Sequence, residues 1–84
     1  MIHSLKCWPV HFNRILDGNK KFELRKNDRD YRSRDILILN EWDPKKRECT
    51  GRLAIVTVGY ILNSNDVEGL MDGYVIMSII RKRL

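Results

Sequence analysis

The sequence predicts a mainly β fold of the α+β class, a small antiparallel β-barrel of about five strands with one short helix near the N-terminus. Runs rich in β-branched residues dominate the chain after Asp35, and such residues favour strands. The one clear helix signal, near the N-terminus, gives too few helices for parallel crossovers and so favours a closed or nearly closed barrel over a βαβ sheet. With 84 residues, we interpret residues 1–84 as a single domain around one core.

The first two elements follow from short apolar patterns. Ile2 to Cys7 is predicted as a strand, with Ile2, Leu5 and Cys7 available for burial. A helix from Pro9 to Asp17 is predicted next, because proline suits a first helical turn and Gly18 can end the helix. Three apolar residues fall on one stripe of this helix: Phe12, Ile15 and Leu16.

The next segments predict two strands separated by a loop. Residues 20 to 26 alternate in polarity, with Phe22 and Leu24 on one face and charged residues on the other, as in a half-exposed strand. Residues 27 to 34 predict a structured basic loop, because their Asn, Asp and Ser side chains can cap turns. Ile36 to Leu39 is a continuous apolar run, typical of a strand covered on both faces.

The C-terminal half predicts two more strands. Glu41 to Gly51 is expected to be a long polar loop between antiparallel strands. Leu53 to Leu62 is predicted as a strand with a bulge or bend at Gly59. A helical turn is expected around Val67 to Met71, and Tyr74 to Ile80 is predicted as the last strand, followed by three basic residues. The predicted core residues are Phe22, Leu24, Ile36, Ile38, Val56 and Val58.

Composition and apolar run lengths exclude several classes of protein. Hydrophobic residues make up 43% and charged residues 32% of the chain, a balance typical of a folded protein and not of a disordered one. The apolar runs are too short for a membrane span, and the N-terminus lacks the basic and then apolar layout of a signal peptide. We therefore expect a cytoplasmic protein with no membrane partner.

The cysteines and histidines predict neither a disulfide scaffold nor a metal centre. Cys7 and Cys49 are too few for such a scaffold and are expected to stay reduced. His3, Cys7 and His11 recur every fourth residue, which on one helix would align three zinc ligands, but Pro9 interrupts such a helix. We predict no metal and no cofactor.

The net charge of +5 is concentrated in one part of the chain. Residues 20 to 34 hold seven bases and three acids, so this segment carries four of the five net positive charges. Residues 63 to 73 hold three acids and no base. Such polarity indicates an anionic partner for one side of the molecule. The alternative is a solvated charged surface that only serves solubility.

A motif follows the helix-ending glycine. Residues 18 to 25 read Gly-Asn-Lys-Lys-Phe-Glu-Leu-Arg, which fits G-x-K-x-x-E-x-R, the signature of the ASCH domain. With its flanks, the chain resembles over nearly its whole length a small, functionally unassigned bacterial and phage family within that superfamily. The flanking matches are His3-x-Leu5-Lys6-x-Trp8-Pro9-x-x-Phe12, Asn27-Asp28-Arg29 and Thr50-Gly51-Arg52. One departure is Arg34 before Asp35, where ASCH-like sequences usually have glycine, so the path of this loop is open.

The resemblance implies a PUA-like β-barrel with a cleft facing nucleic acid at the helix-to-strand turn. Lysine supplies a mobile charge for phosphate, arginine a rigid fork, and a carboxylate can accept hydrogen bonds from an exocyclic amine. Glu23 and Arg25 could instead simply pair with each other. Lys20 joins them only if it lies in the turn, because strict alternation would send it to the opposite face. As exposed cations, Lys20 and Arg25 are expected to contribute little to folding.

Aromatic and basic neighbours complete the predicted site. Trp8, Tyr31 and Trp42 are the aromatic residues expected to be exposed enough to stack on a base, although Trp8 could instead cover the helix start. The candidate nucleic-acid or ligand-binding residues are Lys20, Glu23, Arg25, Lys6, Trp8, Arg29 and Tyr31. No residue is predicted to be catalytic.

Three functions are compatible with these patterns. The first is a module that binds RNA, in preference to DNA, or a nucleotide. The second is an amidohydrolase acting on acetylated cytidine, because some ASCH proteins resemble such enzymes. Glu23 occupies the position of their hydroxyl residue, and a carboxylate would change the mechanism, which disfavours this activity. The third is a protein-interaction adaptor, with residues 63–73 or 41–51 as its contact. The oligomeric state is left open.

Overall fold

The computed structural model describes residues 1–81, which form five strands and one helix. In chain order these are β1 Ile2–Cys7, α1 Pro9–Leu16, β2 Phe22–Lys26, β3 Ile36–Asp43, β4 Glu48–Asn63 and β5 Tyr74–Arg81. The predicted mainly β fold with one short helix near the N-terminus is confirmed. Within residues 1–81, no helix has the length and apolar character needed to cross a membrane.

The strands form one sheet in the order β1-β3-β4-β5-β2, curved into a half-barrel. Three of its four pairings are antiparallel. The pairing of β1 with β3 is parallel, with Ile2 opposite Ile36 and Cys7 opposite Glu41. Residues 8–35 lie between these strands and are long enough for the crossover that a parallel pair requires. β1 and β2 are the two edges of the sheet, so the half-barrel is open between them.

The core lies on the concave face of the sheet, where α1 contributes Phe12 and Ile15. Val56 and Val58 are fully buried, as predicted. Ile36 and Ile38 are only half-buried, because the alternation in β3 turns Leu37 and Leu39 inward instead.

The prediction for the faces of β2 and of the start of β1 is wrong. Phe22 and Leu24 are 48% and 52% exposed, whereas Glu23 points inward beside Met77 of β5. In β1, Ile2 is exposed and His3 is buried. His3 is tolerated there because its Nε2 lies 2.8 Å from Asp35 Oδ2. In both strands a polar residue takes the inward position because it finds a polar partner inside the half-barrel.

The connections of the C-terminal half are tighter than predicted. β3 and β4 extend to a short turn in which the Asp43 carboxylate accepts hydrogen bonds from the amides of Lys45 and Lys46. The bulge at Gly59 is confirmed by a register shift between Val58 and Ile61. Residues 67–71 form bends and turns and no helix, because Gly69, in a left-handed conformation, interrupts the backbone path of a helix.

The last strand is longer than predicted. Arg81 belongs to β5, and its guanidinium donates a hydrogen bond to the carbonyl of Leu16. Arg81 is therefore part of the sheet, although the strand was predicted to end at Ile80. Lys82 and Arg83, the other predicted basic residues, lie outside the described residues.

Arg34 has φ +75°, a left-handed conformation that glycine adopts freely and L-residues adopt at a cost. Its amide donates to the carbonyl of Val58 at 2.8 Å, which pins the loop to β4. The chain thus keeps at this position the backbone geometry that a glycine before Asp35 would favour, although the residue is arginine.

Arg34→Gly is expected to stabilise the protein. Removing the left-handed cost of about 1 to 2 kcal/mol, less the greater flexibility of glycine in the unfolded chain, leaves a gain of roughly 0.5 to 1 kcal/mol. For a domain of this size the melting temperature should rise by roughly 2 to 8 °C. The control is Arg34→Ala, which removes the same guanidinium but keeps Cβ, so it should give no such gain. Equal melting temperatures for the glycine and alanine variants would contradict the assigned conformation.

Candidate functional site

A cluster of three charged side chains lies at the turn from α1 to β2. Gly18 adopts φ +83°, and the Lys20 amide donates to the carbonyl of Arg14, so the chain reverses directly after the helix. Lys20 therefore precedes β2, and its Nζ reaches Glu23 Oε1 at 2.8 Å. Arg25 Nε donates to Glu23 Oε2 at 2.9 Å. Both cations converge on one carboxylate.

Glu23 is the buried centre of this cluster. Its side chain is 4% exposed, whereas Lys20 and Arg25 are partly open to solvent. The alternative interpretation of Glu23 and Arg25 as an ion pair is thus correct as a description of the geometry. A guanidinium carries five N–H donors and an ammonium three, and both cations retain donors beyond those that hold Glu23. Charge-assisted contacts of this kind fix both cations at the surface of the half-barrel.

Two arginines bridge the open side of the half-barrel between β1 and β2. Arg25 Nη2 donates to the carbonyl of Lys6 at 2.7 Å, and Arg29 Nη1 donates to the carbonyl of Ser4 at 3.0 Å. These carbonyls belong to the edge of β1 that faces away from β3. The guanidinium groups satisfy two of the backbone carbonyls on the exposed edge of β1. Side-chain hydrogen bonds, and not backbone pairing, thus connect the two edges of the sheet.

The cluster forms part of the lining of a cleft of about 870 Å³. Its floor and walls come from the end of β1, the outer edge of α1 and the start of β2. Five of the seven predicted site residues line it: Lys6, Trp8, Lys20, Glu23 and Arg25. Trp8 is 57% exposed. The cleft combines apolar surface with positive charge at one end of the sheet.

The other two predicted site residues lie away from this cleft. Arg29 is exposed but donates to β1 as described above. The prediction of Tyr31 as an exposed stacking residue is wrong, because Tyr31 is buried and its ring meets the His3 ring edge-on at 4.9 Å. The Asn27 side-chain oxygen accepts a hydrogen bond from the Tyr31 amide and turns the basic loop inward at this point.

Seven residues that line the cleft were missing from the predicted site, among them His11, Arg14 and Trp42, although Trp42 was predicted as a stacking residue. His11 and Arg14 follow Trp8 at intervals of three residues, a spacing that places side chains along one edge of a helix, so this signal was present in the sequence. Trp42 faces the cleft beside a register shift between Asn40 and Trp42. Lys6 Nζ lies 3.9 Å from the centre of the Trp42 ring, a cation–π contact.

A second network holds α1 against the sheet. Glu41 accepts hydrogen bonds from the Thr50 hydroxyl and from Arg52 Nε and Nη2, at 2.7 to 2.9 Å. Arg52 Nη2 also donates to Asn13 in α1 at 2.9 Å. The hydrogen bonds from Arg52 and Thr50 lower the pKa of the buried Glu41 carboxyl to about 2. The Thr50-Gly51-Arg52 segment therefore positions the helix that carries one wall of the cleft.

Cys7 is the thiol of the cleft, and it is poorly suited to nucleophilic chemistry. Burial, followed by the charge of Glu23, raises its pKa, so little thiolate is present at neutral pH. Among residues 1–81, no group of three or more His, Cys, Asp or Glu side chains is arranged to hold a metal ion.

Fold and site together define a small mainly β domain whose basic cleft is lined by two tryptophans. Residues 2–79 match the family described as a domain of unknown function, DUF3850, and the chain belongs to this family. It is also similar to an uncharacterized 12.9 kDa protein in the GpA 3' region of Escherichia phage P2, with 46% identity over 41 residues. That match takes in 49% of this chain and 38% of the length of the phage protein.

Proposed function

We propose that this protein is a module that binds RNA, in preference to DNA, or a nucleotide in the cleft between α1, β1 and β2. The observation that carries the proposal is the composition of the cleft. Its volume of about 870 Å³ falls within the range of roughly 300 to 1,000 Å³ that is typical of ligand sites. Four bases, Lys6, Arg14, Lys20 and Arg25, surround its apolar surface.

The cleft residues divide by the part of a nucleotide that they suit. Lysine and arginine contacts to phosphate give affinity without sequence preference. Aromatic side chains stack on bases of any sequence. Glu23 is held by Lys20 and Arg25, so its main part in the proposal is to keep both cations at fixed positions.

We also propose that this family is related to the ASCH domain and the PUA-like barrels. In support, the G-x-K-x-x-E-x-R motif lies at the turn from α1 to β2 and contributes three cleft residues, Lys20, Glu23 and Arg25. The proposal places the protein in the cytoplasm, where the free thiols of Cys7 and Cys49 stay reduced.

No hydrolytic step is part of this proposal. Within residues 1–81, the side chains that line the cleft include no serine or threonine, and Lys20 is engaged by Glu23. The hydroxyl nucleophile that an amidohydrolase of acetylated cytidine would need is therefore lacking among the residues lining this cleft.

The test is fluorescence anisotropy of labelled single-stranded RNA and DNA oligomers at several salt concentrations. We expect binding that weakens steeply with salt and favours RNA. The double variant Lys6→Ala, Arg14→Ala should flatten the slope of log affinity against log salt by about 1.4, as expected for two lost phosphate contacts to a single strand. Its stability should change little, because Lys6 and Arg14 are exposed and Arg14 loses only an exposed pair with Asp17.

The matched control is Lys45→Ala, Lys46→Ala, which removes the same charge from the exposed turn between β3 and β4. It should weaken binding much less. Equal losses of affinity in the two double variants would mean that RNA is attracted by the overall positive charge and not by a site in the cleft. No binding of any oligomer or nucleotide by the wild type at low salt would overturn the proposal and favour a protein-interaction adaptor.

A further inference from the structure

Trp42 presents a ring face to the cleft that a cation covers in the free protein. Lys6 Nζ lies over this ring at 3.9 Å from its centre, and both residues line the same cleft. Lys6 is exposed on the edge strand β1, and among residues 1–81 its ammonium forms no ion pair with a carboxylate. The ammonium of Lys6 is therefore held by its contact with the ring and not by an ion pair, so a ligand can displace it from the ring.

We propose that Trp42 is the stacking platform for one unpaired base, and that Lys6 leaves the ring for the adjoining phosphate when the base arrives. This inference rests on the proposed function and names its ligand class, an unpaired nucleotide. The nucleotide is either part of a single strand or free. Both share a planar ring with an anionic group one sugar away, which matches the pairing of Trp42 with Lys6.

The exchange is favourable on physical grounds. A cation–π contact at an exposed site is weak, whereas stacking of a base on an aromatic side chain contributes more. The displaced ammonium exchanges the ring for a phosphate, which is a stronger partner for it.

A duplex does not fit this exchange. Bases inside a duplex have both faces covered by their neighbours, and RNA recognition by stacking uses unstacked bases of loops and ends. The cleft also has the volume of a single-ligand site. The inference therefore predicts discrimination between single-stranded and double-stranded RNA of the same sequence.

The chain has two tryptophans, and both line the cleft, so fluorescence can report on each of them. In the variant Trp8→Phe, the remaining signal comes from Trp42. We expect single-stranded RNA to quench it, with a midpoint equal to that from anisotropy. A nucleoside monophosphate should quench it at higher concentration if the free nucleotide also binds, whereas double-stranded RNA should not.

Affinity measurements on Trp42 variants separate stacking from packing. Trp42→Leu should weaken binding of single-stranded RNA by roughly 5- to 150-fold, the factor that corresponds to loss of one stacked base. Trp42→Phe keeps a ring and should fall between leucine and wild type. The control is Tyr60→Leu, which removes an exposed aromatic residue outside the cleft and should leave affinity unchanged. Equal melting temperatures of the two Trp42 variants establish that the difference in binding does not come from folding.

The outcomes distinguish this inference from the proposed function. The inference is overturned while the proposed function stands if the wild type binds RNA, RNA does not quench Trp42 in the Trp8→Phe variant, and Trp42→Leu binds RNA as tightly as the wild type. Equal quenching by single-stranded and double-stranded RNA would likewise overturn it. If the wild type binds no oligomer and no nucleotide, both are overturned.

Discussion

Val56→Asp is expected to lower the stability of the protein by several kcal/mol. Val56 is fully buried in β4 and stands between Leu37 of β3 and Arg81 of β5 in the register of the sheet. Burial of a carboxylate costs several kcal/mol, and Arg81, which is exposed and donates through its guanidinium to the carbonyl of Leu16, can offset this cost only in part. A domain of this length has a total stability of roughly 4 to 13 kcal/mol. Thermal melting followed by circular dichroism should show a melting temperature far below that of the wild type.

The matched control is Ile55→Asp at the adjacent position of the same strand. Ile55 lies on the opposite face of the sheet and is 37% exposed, so its carboxylate can reach water. This variant should stay folded with a much smaller loss of stability. A Val56→Asp protein that melts like the wild type, or an Ile55→Asp protein that is the less stable of the two, would show that the faces of β4 are assigned wrongly.

Strand positions could be predicted from local patterns because the β-branched runs after Asp35 admit little else. Which residues of β2 face the core could not be predicted from such patterns. Alternation of Phe22 and Leu24 with charged residues is typical of an apolar inner face, but Glu23 points inward because Lys20 and Arg25 neutralise it. Whether a charged residue finds such partners depends on the path of the preceding turn, which binary patterning does not contain.

The candidate site shows the same division between local and long-range information. The motif placed Lys20, Glu23 and Arg25 together because their contacts span only two or three positions in sequence. Tyr31 was misplaced because its neighbour His3 comes from the far edge of the sheet. Likewise, the contact of Lys6 with Trp42 depends on the parallel pairing of β1 with β3 and on a local register shift, and neither is visible in local periodicity.

Lys20→Ala combined with Arg25→Ala is expected to destabilise the protein, contrary to the expectation from sequence that both are dispensable for folding. Removal of both cations leaves Glu23, 4% exposed, as a buried charge without a countercharge. Loss of the partner of a buried ion pair typically costs about 3 to 5 kcal/mol. Urea unfolding should show a midpoint well below that of the wild type with an unchanged slope.

The triple variant Lys20→Met, Glu23→Leu, Arg25→Met separates the stranded charge from the loss of contacts. Replacement of a whole buried ion cluster by apolar residues of similar size is often neutral or stabilising, so this variant should recover most of the stability that the double variant loses. Lys20 and Arg25 also lie in the proposed binding cleft, so the triple variant should be folded and yet bind RNA more weakly than the wild type. A double variant as stable as the wild type would mean that water reaches Glu23 in solution. In that case Glu23 would be available to a ligand instead of serving only to fix the two cations.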